Sequence, residues 1–270
     1  MKARVLTLLA VLGIATGGLV VVGCGSSDSG SGSGGTLTVG SDIPYPPFEF
    51  GKAPEYEGFD VELVNEIANK LDRKIKWQDT SFDTIFRDLA QGKFDMVASA
   101  STITAEREQT VDFSDPYYEA QQALVVAPGS DIKTVDDLGG KTVGAQDGTT
   151  GESYANDETD AGSVRGYPQG PEAIQAVKAG QVDAVIIDEP VAKDALDKQG
   201  GIEVVQTIST DELYGLAFPQ TSEGEKLRKE VNSALKELKD DGALADLYEK
   251  YFPGTKPPEA VLSGTNDQLK

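Results

Sequence analysis

Apolar residues along the chain change their spacing several times, and the changes mark the elements. Leu37-Thr-Val-Gly40 reads as a short strand, followed by Ser41-Asp-Ile-Pro-Tyr-Pro-Pro-Phe48, a loop too rich in proline for regular structure. Val64, Ile67, Ala68 and Leu71 recur at three- and four-residue spacing, which predicts a helix over 58–71 with one apolar face. Ile75 to Trp77 is the next strand. Phe82, Ile85, Phe86 and Leu89 repeat the helical spacing, Gly92 stops it, and Phe94 to Ala98 form the strand beyond. The order βαβαβ predicts an α/β fold.

The last of these units has an echo. Val177-Lys-Ala-Gly180-Gln-Val-Asp183-Ala-Val185 reproduces the layout of Leu89-Ala-Gln-Gly92-Lys-Phe-Asp95-Met-Val97: helix, glycine, two residues, aspartate, strand. Two lobes of similar build are therefore expected. Between the copies, Lys141 to Ala145 is a strand, Asp147-Gly148 a turn, and Thr149 or Thr150 opens a helix whose free N–H groups suit an anion. Extended segments at 123–126 and 214–218 flank the second copy, so the chain leaves the first lobe and returns through them, and two crossings make a hinge. Helical spacing resumes at Leu227, Val231, Leu235 and Leu238 and again at Leu244, Leu247, Tyr248 and Tyr251. The expected division is lobe 1 over 36–123 with 218–252, lobe 2 over 124–217, and a disordered tail over 253–270, where proline is frequent and apolar residues are few.

The N-terminus stands apart. Lys2 and Arg4 precede an apolar run from Val5 to Val22, the layout of a secretory leader ending at residue 23. A plain transmembrane anchor is the alternative, since these 18 residues could just span a bilayer. Val21-Val22-Gly23-Cys24 also resembles the lipobox of bacterial lipoproteins, in which the cysteine is acylated and becomes the first residue. Residues 25–35 are Gly and Ser with one Asp, a flexible tether reaching roughly 18 Å.

Composition excludes several chemistries. The 270-residue chain holds one cysteine and no histidine, so a disulfide framework, a thiolate metal cluster and Ser-His or Cys-His catalysis are ruled out, and no metal or cofactor is called for. Its net charge is −21, and loss of Lys2 and Arg4 with the leader would make it −23, a surface that repels nucleic acid and anionic lipid. Against that background Arg107 is out of place. Thr104 reads as an N-cap, which puts Arg107 in a first helical turn, where a cation opposes the helix dipole. The residue is either aimed at an anion just off the preceding strand or paired at the surface with Glu106 or Asp112. Asp60 reads as another N-cap, with Glu62 too near in sequence to share its face, and the acidic run 157–160 as solvated turns.

From Leu37 to about Phe252 the chain resembles the polar amino acid-binding proteins of bacterial ABC importers. The match rests on Gly58-Phe-Asp-Val-Glu-Leu63, Thr102-Ile-Thr-Ala-Glu-Arg107, Val111-Asp-Phe-Ser-Asp-Pro-Tyr-Tyr118 and Asp183-Ala-Val-Ile-Ile-Asp188, in that order. The resemblance implies a two-lobed periplasmic-binding-protein (Venus flytrap) fold that closes on a free amino acid and hands it to a membrane permease. It implies that Arg107 takes the ligand carboxylate with help from Thr149 and Thr150. Asp188 would then take the ammonium with the Ala100 carbonyl and the Thr102 hydroxyl. Tyr45 and Phe82 would sandwich the ligand side chain, although Phe82 also fits the core stripe of its helix and Tyr45 could pack on Pro46. Asp42 and Gln146 fall near the side-chain end of the pocket, and Asp42 could equally cap its own turn.

The expected protein is thus a monomeric, lipid-anchored receptor outside the cytoplasmic membrane and not an enzyme. Asp42 and the acidic composition favour arginine or lysine as ligand, with glutamine and histidine next. A dehydratase on the same fold and a ligand-sensing domain are the alternatives.

Overall fold

The computed structural model describes residues 34–266. The leader, Cys24 and the tether through Ser33 lie outside the described residues. The strands are β1 (Thr36–Ser41), β2 (Phe50–Lys52), β3 (Glu55–Glu57), β4 (Lys74–Asp79), β5 (Met96–Val97), β6 (Val111–Phe113), β7 (Tyr118–Val126), β8 (Thr142–Gln146), β9 (Ser163–Tyr167), β10 (Ala184–Asp188), β11 (Glu203–Tyr214) and β12 (Ala217–Pro219). The α-helices are α1 (Phe59–Lys70), α2 (Phe82–Ala90), α3 (Thr150–Asp157), α4 (Gly170–Lys178), α5 (Glu189–Gln199), α6 (Ser222–Asp240), α7 (Ala243–Tyr251) and α8 (Glu259–Leu262).

Two five-stranded sheets divide the chain, in the orders β4-β1-β5-β12-β6 and β11-β7-β10-β8-β9. Within the first, β1 runs parallel to β4 and β5, and β12 returns antiparallel; within the second, β8 runs parallel to β9 and β10, and β7 is antiparallel to β10 and β11. Such mixed sheets follow from the βαβ order plus two returning strands. The chain changes sheet over 114–117 and over 215–216, because β7 belongs to the second sheet from Tyr118 and β11 remains in it through Tyr214. These points lie a few residues ahead of the boundaries at 123/124 and 217/218 expected from the extended segments.

The signature Gly58-Phe-Asp has a steric basis. Gly58 sits at φ 130°, and a Cβ there would fall 2.0 Å from the Phe48 carbonyl oxygen. That closeness lets the proline-rich loop cap α1: Phe59 and Asp60 donate their N–H groups to the carbonyls of Pro47 and Phe48 at 3.0 and 2.9 Å. Asp60 is therefore not the N-cap. It is the second residue of the helix and fully buried. Glu62 faces another way, accepting from Lys250 Nζ and from the Tyr251 hydroxyl at 2.6 Å, which ties α1 to α7.

Rings of Phe48, Phe59, Tyr118, Tyr214, Tyr248 and Phe252 meet where the strands cross, with Tyr118 and Phe252 centroids 4.8 Å apart. Past Phe252 the chain does not fray as its composition suggested. Val261 of α8 is fully buried, and buried Asn266 donates its side-chain amide to the Phe113 carbonyl and its N–H to Asp115 Oδ1. The polar residues of this segment find partners on the first lobe, which offsets its shortage of apolar ones. The expected disorder is thus corrected over 253–266. Among the described residues no helix is long and apolar enough to cross a membrane.

Candidate functional site

The two sheets point the ends of their parallel strands at one another, and residues at or just beyond those ends meet around one narrow cavity. All ten candidate residues line it: Asp42 and Tyr45 after β1, Phe82 at the start of α2, Ala100 and Thr102 after β5, Arg107, then Gln146 as the last residue of β8 with Thr149 and Thr150 beyond it, and Asp188 as the last residue of β10.

Arg107 lies in a single 3-10 turn, Arg107–Gln109, shorter than the helix expected there. The N-cap position is Glu106 rather than Thr104, although the Thr104 hydroxyl accepts the Arg107 N–H at 3.2 Å. The guanidinium donates to the carbonyls of Thr102 at 2.7 Å and of Gly148 at 3.0 Å, and it stands over the rings of Phe82 and Phe86 at 5.2 and 4.7 Å. Its hydrogen bonds therefore go to carbonyls on both lobes rather than to Glu106 or Asp112. Burial pulls its pKa down to about 10, so it keeps its charge at neutral pH. Phe82 packs on Phe86 in the core and also lines the cavity.

Opposite stands Asp188. Its carboxylate accepts from Tyr45 OH at 2.7 Å, Tyr214 OH at 2.6 Å and Gln122 Nε2 at 2.5 Å. Burial, and then the neighbouring Glu212, push its pKa up to about 6. Tyr45 is thus held by a cross-cleft hydrogen bond and by stacking on Phe48 at 6.4 Å. Gly170 lets its ring come close, since a Cβ there would fall 2.7 Å away.

At the other end Asp42 does not cap its own turn. Its Oδ2 accepts from Gln146 Nε2 of the facing lobe at 2.5 Å, and burial raises its pKa to about 7. The threonines differ from expectation in detail. Thr149 caps α3, giving its proton to the Gln146 carbonyl and accepting from Glu152 N–H, while Thr150 donates its hydroxyl to Glu212 Oε2 at 2.7 Å. What they offer an anion is the amide end of α3 rather than hydroxyl protons.

Four further residues line the cavity or hydrogen-bond to residues that do, and are not evident in the sequence. Ser99 lines the cavity, its hydroxyl accepting the Asp42 N–H and donating to buried Glu49. Gln122 joins Asp188 to Glu212, Tyr214 supports Asp188, and Glu212 gathers the hydroxyls of Thr102 and Thr150. Glu212 escapes a sequence reading because β11 slips register between Ile208 and Glu212, which re-aims its side chain inward. The other three sit in runs whose alternation marks only strand or loop.

Comparison with known proteins gives the family of the chain. The family model of bacterial extracellular solute-binding proteins, family 3, matches residues 37–254. The arginine-binding extracellular protein ArtP of Bacillus subtilis is 35% identical over 239 residues, which cover 86% of this chain and 92% of that protein. The solved arginine-, lysine-, histidine-binding protein ArtJ from Geobacillus stearothermophilus is 33% identical with a TM-score of 0.78, covering 84% of this chain and 99% of that one. An ancestral amino acid-binding protein, a precursor of cyclohexadienyl dehydratase, is 38% identical with a TM-score of 0.74, covering 80% of this chain and 95% of that one. Likeness of this extent, on a chain with two sheets facing across a polar cavity, shows that it belongs to the bacterial extracellular solute-binding proteins, family 3.

Proposed function

We propose that this chain is the receptor of an ABC importer for a free amino acid, with a basic side chain preferred and glutamine or histidine next. The observation that carries this reading is the placement of charge in the cavity: Arg107 on one side, Asp188 on another, and the buried acid Asp42 at a third corner. A zwitterion satisfies the first pair, and a distal cation satisfies the third. Arginine binding in ArtP and ArtJ supports the same class. Each lobe supplies part of the ligand's partners, so closure is favoured only when ligand bridges the cleft, and the hinge lies at the two crossings. A dehydratase reading would ask Asp188 to transfer a proton, but three donors already occupy its two oxygens, which favours ion pairing over acid catalysis.

Isothermal titration of protein freed of carried-over ligand, against the twenty amino acids, tests the proposal. Arginine and lysine should bind most tightly; absence of heat with every amino acid would sink it. The reading includes a monomer held at the membrane by acylated Cys24. In that case Cys24→Ser should release the protein from the membrane fraction, and retention of the leader in that fraction would count for the transmembrane alternative.

A further inference from the structure

Asp60 is a buried carboxylate outside the lining of the ligand cavity. It lies on the inward face of α1, with 0% exposure, beside Phe59, Leu63 and Val64. An ionisable group in such surroundings needs a compensating role. Near a helix start the bland one is service to the dipole or the cap, but the N–H groups there are already taken by the proline-rich loop. The carboxylate points elsewhere. Its Oδ2 accepts the Ala100 N–H at 2.9 Å and the Tyr117 hydroxyl at 2.7 Å.

Both partners matter. Ala100 lines the ligand cavity and sits at φ 43°, a left-handed conformation that alanine adopts only under constraint. Its neighbours are tied down as well: the Ser99 hydroxyl donates to Glu49, and the Ser101 carbonyl accepts the Gly215 N–H at 3.0 Å. Tyr117 is the last residue before β7, where the chain crosses to the second lobe, and its N–H bonds to the Tyr214 carbonyl at 3.0 Å. Burial raises the pKa of Asp60 to about 7, partly opposed by those same two hydrogen bonds.

We propose that Asp60 is a positioning residue for ligand recognition: its carboxylate holds Ala100 in the left-handed turn that presents the Ala100 carbonyl to the ligand ammonium, and anchors that turn to the hinge through Tyr117. The inference rests on the reading of the cleft as an amino-acid site. It gives the aspartate of the Gly58-Phe-Asp motif a task 40 residues further along the chain, at the turn that follows β5.

The test compares arginine with its deamino analogue 5-guanidinopentanoate, which keeps carboxylate and guanidinium and lacks the ammonium. Asp60→Ala should weaken arginine at least about tenfold and the analogue less than about threefold, since only the ammonium contact depends on the turn. Asp60→Asn, whose amide oxygen can accept the same two hydrogen bonds, should keep arginine within about threefold of the unmodified protein. Adding Ala100→Gly to Asp60→Ala should recover part of the loss, because glycine adopts the turn without help. Should Asp60→Ala fail to fold, Asp60→Ser, too short to reach the Ala100 N–H, carries the same comparison. Equal losses for both ligands, or no recovery with glycine, would overturn the proposal in favour of a purely structural acid. If the unmodified protein bound no amino acid at all, the parent reading would fail first.

Discussion

The two copies of the repeated unit make the same joint and end differently. At Gly92 and Gly180 the chain turns at φ 76° and 67°, with the N–H bonded to the carbonyl three residues back in each case. Asp95 then accepts the Thr38 N–H at 2.7 Å and returns its own N–H to the Thr38 carbonyl at 2.9 Å; Asp183 does the same with Thr142, both at 2.8 Å. Beyond the joint the likeness stops. β5 pairs for only two residues before the turn at 99–102, whereas β10 runs five residues to Asp188 and enters α5 at the next position. The common joint sets where each strand ends relative to its sheet. The chemistry lies at or past those ends: backbone groups plus Arg107 beyond β5, and at the end of β10 a side-chain carboxylate held by Gln122 and Tyr214 and, from across the cleft, by Tyr45.

The largest break in this comparison comes from removing one charge from each end. Arg107→Ala leaves a carboxylate buried without its main partner, at a cost of about 3–5 kcal/mol, or roughly 150-fold to several thousandfold in affinity. Small-angle scattering should then show no compaction on adding ligand. Asp188→Asn keeps the size of the side chain but removes the charge and turns one of its two acceptor oxygens into an NH2 group that faces hydrogen-bond donors. Its loss should be smaller, about 1.5–3 kcal/mol, or roughly tenfold to a hundredfold. If both variants lost affinity equally, the asymmetry between a guanidinium bonded to backbone carbonyls and a carboxylate held by three side-chain donors would be wrong. Tight binding by Arg107→Ala would refute the carboxylate assignment itself.

What the amino-acid order made legible divides along the same line. Strand and helix periods, the glycine stops and the echo all arise from local chemistry, and the two-sheet fold grows out of them. Of the ten candidate residues, Arg107 and the helix start at Thr149 or Thr150 are marked by local chemistry, the others come from the family resemblance, and the fold brings all ten to one cleft. Roles carried by contacts between distant segments stayed hidden. Asp60 has the spacing of a cap, and only packing reveals that it serves Ala100. Glu212 depends on a bulge that its own neighbours do not announce. The stretch 253–266 looks too polar to pack until Asn266 meets the carbonyl of Phe113.

A change of pH sharpens the contrast at the side-chain end of the cavity. Asp42 is held near a pKa of about 7, chiefly by burial, with Asp79, Asp83 and Glu172 adding to the shift and the Gln146 hydrogen bond opposing it. A cation beside it favours the ionised form, so a basic ligand should bind more tightly as pH rises through 7. Between pH 6 and 8 the ionised fraction climbs from about a tenth to about nine tenths, an affinity gain of up to roughly ninefold. Glutamine should show less of this change, and Asp42→Asn should abolish the difference between the two ligands in titration calorimetry. For the ligand-free chain the sign reverses: the folded state keeps this proton while the unfolded chain releases it from the ordinary value of 3.8 upward, so stability should fall as pH rises toward 7. Parallel pH curves for arginine and glutamine would remove Asp42 from the site.

The smallest expected effect tests the joint itself. Asp95 and Asp183 each accept one backbone N–H from the adjacent parallel strand, at sites partly open to water, so each should contribute about 0.5–1.5 kcal/mol to stability. Asp95→Ala and Asp183→Ala should therefore lower the denaturation midpoint by similar amounts, measured by urea titration of the ligand-free protein. Neither side chain lines the cavity, so the affinity for ligand should stay within about twofold. The two substitutions lie in different lobes and share no partner, so their costs should add in the double variant. A marked loss of affinity in only one of them would mean that the joint also sets the aim of the strand end beyond it. The candidate for that loss would be Asp95, because β5 has just two paired residues between the joint and the binding turn, while β10 has five to hold Asp188 in line.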